Sequence, residues 1–363
     1  MIEKILSILN NDNNHLDAIA LVPGSNFQYL TGGQFFLMER PLVLIISKTY
    51  KPIVILPVLE ISNFVKLKFD AEIIEWQDSD GYQAAFEKAI NLIGLDFTLG
   101  IEGQLMRAFE MQAIQKVSEK IIIKNCHKII SKIRLIKENH EVRNLVKAIE
   151  IAEKSLENTL GFVREGLTEI QIKNFLMQQL LENGADAIAF EALVLAGENS
   201  ALCHGHSRRE YTIKKGDSLL FDFGATVNGY HSDITRTFFI GQASEEDKNM
   251  YETVLKANTH GREITKPDLS MNDLDDQVLR ILEESPYKEY VVHKTGHGLG
   301  MDVHEDPYVM RGNFEKLEKG MVITIEPGLY RENHLGIRIE DDVLVTENAC
   351  KSLTTFNRDL RII

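Results

Sequence analysis

Across residues 138–182 the apolar positions recur every three or four residues. Val142, Leu145, Ile149, Ala152 and Leu156 line one side of a helix within "SKIRLIKENHEVRNLVKAIEIAEKSLENTL", the 3.6-residue period of an amphipathic α-helix. A second helix spans "LTEIQIKNFLMQQLLENG", opened by Thr168 with Gln171 three residues on and closed by Gly184, the pattern of a capping box followed by a glycine stop. Two later helices, "SEEDKNMYETVLKANTHG" and "SMNDLDDQVLRILEES", each start at a serine cap. Between and after them come β-rich runs: "DSLLFDFGATV", "GYHSDITRTFFI", "GMVITIEPGLY" and "GIRIEDDVLVT". A helix pair thus precedes a strand pair twice. This coarse repeat predicts a pseudo-symmetric domain with one curved antiparallel sheet.

The first third has another rhythm. "LDAIALVPGSNFQYLTG" predicts a buried strand, a Pro-Gly turn and a short helix, and "PLVLIISKTYKPIVILPVLE" predicts two strands joined by the polar residues around Lys48 to Lys51. "DAEIIEW" and "FTLGIEG" continue the strands, with the amphipathic helix "GYQAAFEKAINLIGL" between them. Strands alternating with helices imply an α/β layer domain. The change of composition puts the boundary near Lys137 to Asn139, giving an α/β domain over residues 1–137 and a second domain over 138–363. The fold class expected for the whole chain is α+β.

Composition narrows the partners. The 363 residues carry a formal charge of −14, which argues against nucleic acid and against an anionic membrane surface. The three cysteines, Cys126, Cys203 and Cys350, are far apart and form no CxxC pair. Reduced thiols in the cytoplasm are the simplest expectation. The N-terminal "MIEKILSILNNDNN" lacks the pattern of a signal peptide, and "PLVLIIS" is too short to span a bilayer.

Acids inside apolar strands carry the chemistry. Asp222 sits between Phe221 and Phe223, and Asp233 opens an Ile-Thr-Arg-Thr-Phe run; the turn signal Asn228-Gly229 lies midway between the two acids. A hairpin there sets both carboxylates roughly across from each other. The pattern repeats with Glu326 and Glu340 around the loop "RENHLG". Buried carboxylates are costly unless paired or bound to metal. Arg338 supplies one positive charge, whereas two divalent cations would balance four converging acids. The stretch "HKTGHGLGMDVHE" holds three histidines, His293, His297 and His304, among glycines, and His297 is the candidate fifth ligand. Two Asp, two Glu and one His suit Mn²⁺, Co²⁺ or Zn²⁺. Two such ions about 3.5–4 Å apart can activate a bridging water for hydrolysis. Singly, each residue has an ordinary reading: a strand Asp as a hydrogen-bonding group, "RIEDD" as a solvated strand end, a histidine between glycines as a turn. The case rests on five such residues in two like hairpins and one glycine-rich turn, where the glycines are expected to let the backbone pass close to a crowded centre.

On the blocks "ENSALCHG", "DFGATVNGYHSDITRTF", "HKTGHGLGMDVHE", "ITIEPGLY" and "GIRIEDDVLVT", the chain resembles the pita-bread metallopeptidases, most closely the Xaa-Pro peptidases: prolidase (Xaa-Pro dipeptidase) and aminopeptidase P. The resemblance implies a C-terminal pita-bread domain with a curved antiparallel sheet, preceded by an α/β creatinase-type N-terminal domain. It implies hydrolysis of Xaa-Pro bonds in short proline-containing peptides by a metal-bridging hydroxide, two divalent ions per subunit with Mn²⁺ foremost, and a homodimer. It makes Asp222 a ligand of one ion, Asp233 and Glu340 bridging ligands, and His297 and Glu326 ligands of the second. His204 and His304 become substrate-side catalytic histidines and Glu326 a proton acceptor as well. His293, Tyr330 and Arg338 become pocket or substrate-binding residues. There are departures from the family pattern. Cys203 stands where proline is usual, and the loop after it is one residue longer, which leaves His206 as an alternative to His204. Tyr308 stands where many prolidases carry an arginine suited to a dipeptide carboxylate; the nearest arginine is Arg311. Methionine-aminopeptidase-like or other non-proline aminopeptidase activity, and a non-catalytic pita-bread binding protein, are the competing readings. The first family usually lacks an N-terminal domain of this size, and the last typically loses ligands.

Overall fold

Runs of four or five residues build the sheet of the N-terminal unit, and its central strands are buried throughout. In the computed structural model, which describes residues 2–363, the chain divides into two compact units, Met1–Arg134 and Leu135–Ile363. The strands of the first are β1 (Ala18–Leu21), β2 (Val43–Ser47), β3 (Ile53–Pro57), β4 (Glu72–Trp76), β5 (Thr98–Ile101) and β6 (Ile122–Asn125). They form one mixed sheet in the order β4-β3-β2-β1-β5-β6. β1, β2 and β3 pair antiparallel, as a short Lys48–Lys51 connection requires, whereas β4, β5 and β6 join in parallel through helical crossovers. The helices Ser25–Thr31 and Gln83–Ile93 fall where the sequence predicts them. The helix Ile2–Asn10 and strand β6 are additions that their sequence patterns did not single out.

In the second unit the four predicted helices are Asn139–Phe162, Glu169–Glu182, Glu245–Ile264 and Met271–Glu283. Their caps explain their starts: Thr168, Ser244 and Ser270 each accept from the backbone N–H three residues on, which stabilises a helix by about 1 kcal/mol. The strands are β7 (Ala187–Ile188), β8 (Leu193–Ala196), β9 (Ser218–Phe223), β10 (Ala225–Val227), β11 (Tyr230–His231), β12 (Ile234–Phe239), β13 (Gly296–Gly298), β14 (Glu305–Val309), β15 (Val322–Ile325), β16 (Gly328–Arg331), β17 (Leu335–Arg338), β18 (Asp341–Val345) and β19 (Cys350–Ser352). Every ladder among them is antiparallel, and the hydrogen bonding is interrupted into segments of two to five strands.

Two apolar cores result, one for each half of the repeat. The first gathers Leu145's helix neighbours Ala152 and Leu156 with Leu176, Val194, Phe221, Phe223 and Phe238. The second gathers Met250, Val254, Leu274, Val278, Ile323, Ile325 and Ile337. A polar seam runs between them: Glu340 N–H donates to Thr235 O at 3.1 Å, and Thr237 Oγ1 donates to Arg338 O at 3.1 Å. The acids lie along this seam.

Candidate metal centre

Strand register decides how close the acids come. β9 and β12 pair with Asp222 opposite Thr235 and Phe223 opposite Ile234, and β10 and β11 close the ribbon with Val227 opposite Tyr230. Asn228 and Gly229 both have positive φ, 51° and 80°, as a two-residue type I′ hairpin turn requires. Asp233 therefore lies one diagonal step from Asp222 rather than directly across from it, on the same face. The ribbon is pinched at Gly224, where a Cβ would fall 1.8 Å from Ser232 O. In the second hairpin the register runs unbroken from Ile325 opposite Asp341 to Gly328 opposite Arg338, which sets Glu326 level with Glu340. His297 enters from β13, its N–H donating to Thr324 Oγ1 at 3.1 Å.

All five expected ligands converge. Donor atoms of Asp222, Asp233 and Glu340 lie within 4.8 Å of one another, as do those of His297, Glu326 and Glu340, and those of Asp233, His297 and His304. His297 Nδ1 is 3.0 Å from Gly298 O. A carbonyl only accepts, so Nδ1 carries a proton, and Nε2 faces Glu326 Oε1 at 3.2 Å and Asp233 Oδ2 at 3.8 Å, donating when the ring is protonated and presenting a lone pair when it is not. With its other nitrogen tied to a carbonyl, Nε2 is set to give its lone pair to a cation held among the carboxylates. Asp233 Oδ1 is buried with no hydrogen-bond partner. Burial pushes the carboxyls of Asp222, Asp233 and Glu340 above the usual range, and mutual repulsion adds to it. For Glu326 burial is outweighed by the hydrogen bond and charge of His297, which hold its carboxyl down at about 2. Orphaned oxygen, aimed imidazole nitrogen and crowded hard donors together fit divalent cations.

Arg338 ties this cluster to its surroundings. Buried in the seam, it donates to Asp222 Oδ2, to Tyr330 OH at 2.6 Å and, through Nε, to Thr235 Oγ1 at 2.9 Å. Thr235 in turn donates to Glu340 Oε2 at 2.7 Å. Tyr330 OH also reaches His293 Nε2 at 2.8 Å, while His293 Nδ1 is 2.7 Å from Lys294 O. Nδ1 is therefore protonated, and Tyr330 donates to Nε2 while accepting from Arg338. Burial pushes the Cys203 thiol up, against the pull of Arg338 and Tyr330, so it stands beside this chain as a neutral thiol. Arg338 and Tyr330 are thus lodged beside the acids.

The histidines on the open side separate cleanly. The ring centroid of His304 lies 4.0 Å from that of His297. Burial, with the charge of His297, lowers its pKa to about 4, so it is neutral near pH 7. His204 is exposed and near enough for its charge to act on His304. His206 acts instead on Glu191.

Several supporting residues escaped the sequence reading. Thr235 is one; its place two residues after Asp233, on the same strand face, was the signal. Lys137 and Glu305 form an ion pair at 2.6 Å with side chains 1% and 4% exposed. Glu305 also accepts from Asp302 N at 3.3 Å and so braces the loop that carries His304. Glu169, wholly buried, accepts from Ala196 N at 2.7 Å and pairs with Arg208 at 3.0 Å, bracketing the His204 loop. "RIEDD" is not a solvated end: Glu340, Asp341 and Asp342 are all buried. Asp341 pairs with Arg236 at 2.8 Å and Arg358 at 2.7 Å, and Asp342 Oδ2 accepts from Asp233 N at 3.2 Å. The glycines of "HKTGHGLGMDVHE" also have another reason. A Cβ on Gly296 would fall 2.1 Å from Thr324 O, and one on Gly298 2.2 Å from Asp306 O. They admit neighbouring strands rather than the centre.

Arg311 clasps Glu283 with both guanidinium arms at 2.7 and 2.8 Å and reaches Asp276 at 3.2 Å, and among the described residues it pairs with none of the cluster's acids. No helix among the described residues is long and apolar enough to cross a membrane.

Known proteins match over the whole length. Residues 1–136 match the creatinase/prolidase N-terminal domain, and residues 143–347 match metallopeptidase family M24. An uncharacterized peptidase of Staphylococcus aureus (strain USA300) is 32% identical over 98% of this chain and 99% of its own. The recombinant prolidase of Thermococcus sibiricus superposes with a TM-score of 0.93 at 33% identity, covering 99% of this chain and 98% of that one. The Xaa-Pro dipeptidase of Bacillus anthracis gives a TM-score of 0.90 at 31% identity, covering 100% and 99%. A creatinase-type N-terminal domain and a pita-bread domain carrying the acid cluster make this chain a metallopeptidase of family M24.

Proposed function

We propose that the protein is an Xaa-Pro dipeptidase working with two divalent metal ions. The observation that carries the reading is the convergence of Asp222, Asp233, His297, Glu326 and Glu340, with His297 Nε2 facing Glu326 and Asp233 and with Asp233 Oδ1 buried and left without a hydrogen-bond partner. Asp222, Asp233 and Glu340 would hold one ion; Asp233, Glu340, His297 and Glu326 would hold the other. Two such ions supply Lewis-acid polarisation of the scissile carbonyl and of an attacking water. Mn²⁺ suits the predominance of carboxylate oxygen over imidazole nitrogen.

The chain's own residues do the rest. Glu326, kept anionic by His297, accepts a proton. His304 offers a neutral imidazole N–H to the oxygen on which charge develops, and His204 lies beside it on the substrate side. His293, Tyr330 and Arg338 form a wall whose acceptors are already engaged, Tyr330 OH by Arg338 and His293 Nε2 by Tyr330, so this wall demands no N–H from the substrate. That suits a proline amide, which is tertiary and has none. A proton must still reach the proline nitrogen as the bond breaks, and His304 and Glu326 are the groups placed to relay it. Names of the solved relatives, a prolidase and an Xaa-Pro dipeptidase, support the substrate class. The three unpaired cysteines suit the cytoplasm, and the exposed Phe36, Leu37 and Met38 of the N-terminal unit suit a homodimer.

The test is turnover of Xaa-Pro dipeptides against Xaa-Pro-Yaa tripeptides with Mn²⁺, Co²⁺ and Zn²⁺ supplied in turn, alongside metal analysis. Dipeptide cleavage with about two ions per chain is expected. Tripeptide cleavage would make it an aminopeptidase P, release of N-terminal methionine a methionine aminopeptidase, and absence of both metal and turnover a binding protein.

A further inference from the structure

One cation near the centre has no role in that account. Lys294 is half-buried, and its ammonium lies 5.2 Å over the ring of Tyr308. Among the described residues no carboxylate pairs with it, in a chain of net charge −14. The other cations of this region are engaged: Arg338 with Asp222, Arg311 with Glu283 and Asp276, Lys137 with Glu305. Lys294 follows His293 directly and holds its ring through the backbone carbonyl. Tyr308 comes four residues after His304, and the β13–β14 ladder, with Gly296 opposite Val309, brings the two segments side by side. The charge of Lys294 acts on both His293 and His304. An ammonium braced by an aromatic ring, half-withdrawn from water and lacking an anion, is a receptor for one.

We propose that Lys294 binds a carboxylate of the substrate. Under the dipeptidase reading, on which this rests, a substrate always brings one carboxylate at its C-terminus and a second when Xaa is acidic. A carboxylate entering a cluster of four acids is otherwise repelled, so an ammonium held at the edge both attracts and orients it. Lysine, a compact charge on a flexible stem, suits a carboxylate that must leave again as product.

Four ligands separate the sources: Ala-Pro against Ala-Pro-amide, and Glu-Pro against Gln-Pro, each with the Mn²⁺-loaded wild type, Lys294→Met and Lys294→Arg. If the C-terminal carboxylate is bound, Lys294→Met loses at least tenfold in kcat/KM on Ala-Pro, mainly through KM, and changes less than twofold on the amide. If an acidic side chain is bound, the loss falls on Glu-Pro and spares Gln-Pro. Lys294→Arg keeps most of the selectivity in either case, with metal content and melting temperature unchanged. Equal losses on all four, or none, overturn the proposal. Should the wild type cleave no Xaa-Pro peptide, the dipeptidase reading falls. Calorimetric affinities for the same four ligands then decide Lys294 on its own, and absence of any charge-dependent binding overturns it.

Discussion

Thr235 accepts from Arg338 at 2.9 Å and donates to Glu340 at 2.7 Å, so one hydroxyl fixes the orientation of a candidate ligand and of a cation buried among the acids. Thr235→Val keeps the shape and removes both bonds. It is expected to weaken metal affinity about tenfold or more and to lower stability by about 1–3 kcal/mol, because Arg338 Nε is left unpaired in the seam. Thr235→Ser restores both. Metal titration and thermal melting check this; unchanged affinity in the valine variant would show that Glu340 is oriented by other means.

Removing charge from the cluster should separate function from stability. Asp233→Asn relieves repulsion that burial magnifies, so the metal-free variant is expected to melt above the metal-free wild type by about 1 kcal/mol or more, while losing metal binding and activity. Chelation should act oppositely on the wild type: ions present at a hundred times their dissociation constant contribute about 2.7 kcal/mol, and stripping them lowers the melting temperature. Active, metal-loaded Asp233→Asn protein would sink the assignment.

Glycine substitutions should follow the neighbouring backbone. Gly298→Ala puts a Cβ 2.2 Å from Asp306 O and is expected to destabilise by about 1–3 kcal/mol through strand displacement, activity falling with the fold. Gly161→Ala, in a helix with nothing within 4 Å, should instead stabilise by about 0.5–1 kcal/mol. Denaturant melts compare the two directly.

Arg311→Ala should leave kcat/KM on dipeptides within twofold, since its guanidinium is committed to Glu283 and Asp276. Its hydrogen bond holds the Glu283 carboxyl below its ordinary 4.5. The pair therefore contributes fully above that pH and fades as pH falls through the lower folded value. Both side chains are well exposed, at 45% and 39%, so screening limits the contribution to about 1 kcal/mol or less. A large kinetic loss in this variant would relocate the substrate carboxylate to Arg311.

The hairpins, the helix caps and the five converging side chains were legible because each leaves a local mark: an acid where strand alternation demands an apolar residue, a serine before a helical period, Asn-Gly at a turn. Register was only partly legible. Glu326 and Glu340 stand level, but the tight Asn228-Gly229 turn moves Asp233 a diagonal step from Asp222. What stayed hidden depends on distant partners. Nothing local in "TRT" says that Thr235 meets a glutamate 105 residues away, or in "DVHE" that Glu305 is neutralised by Lys137. The solvated reading of "RIEDD" fails because Arg236 and Arg358 come from other parts of the chain to meet Asp341.

The seam has a consequence for how the protein comes apart. Asp222 and Asp233 belong to one half of the repeat, and His297, Glu326 and Glu340 to the other, each half with its own apolar core. A slip between the halves dismantles the donor set while both cores stay intact. Release of bound ions on heating should therefore run ahead of the loss of helical signal, making metal occupancy a sensor of early, partial loosening.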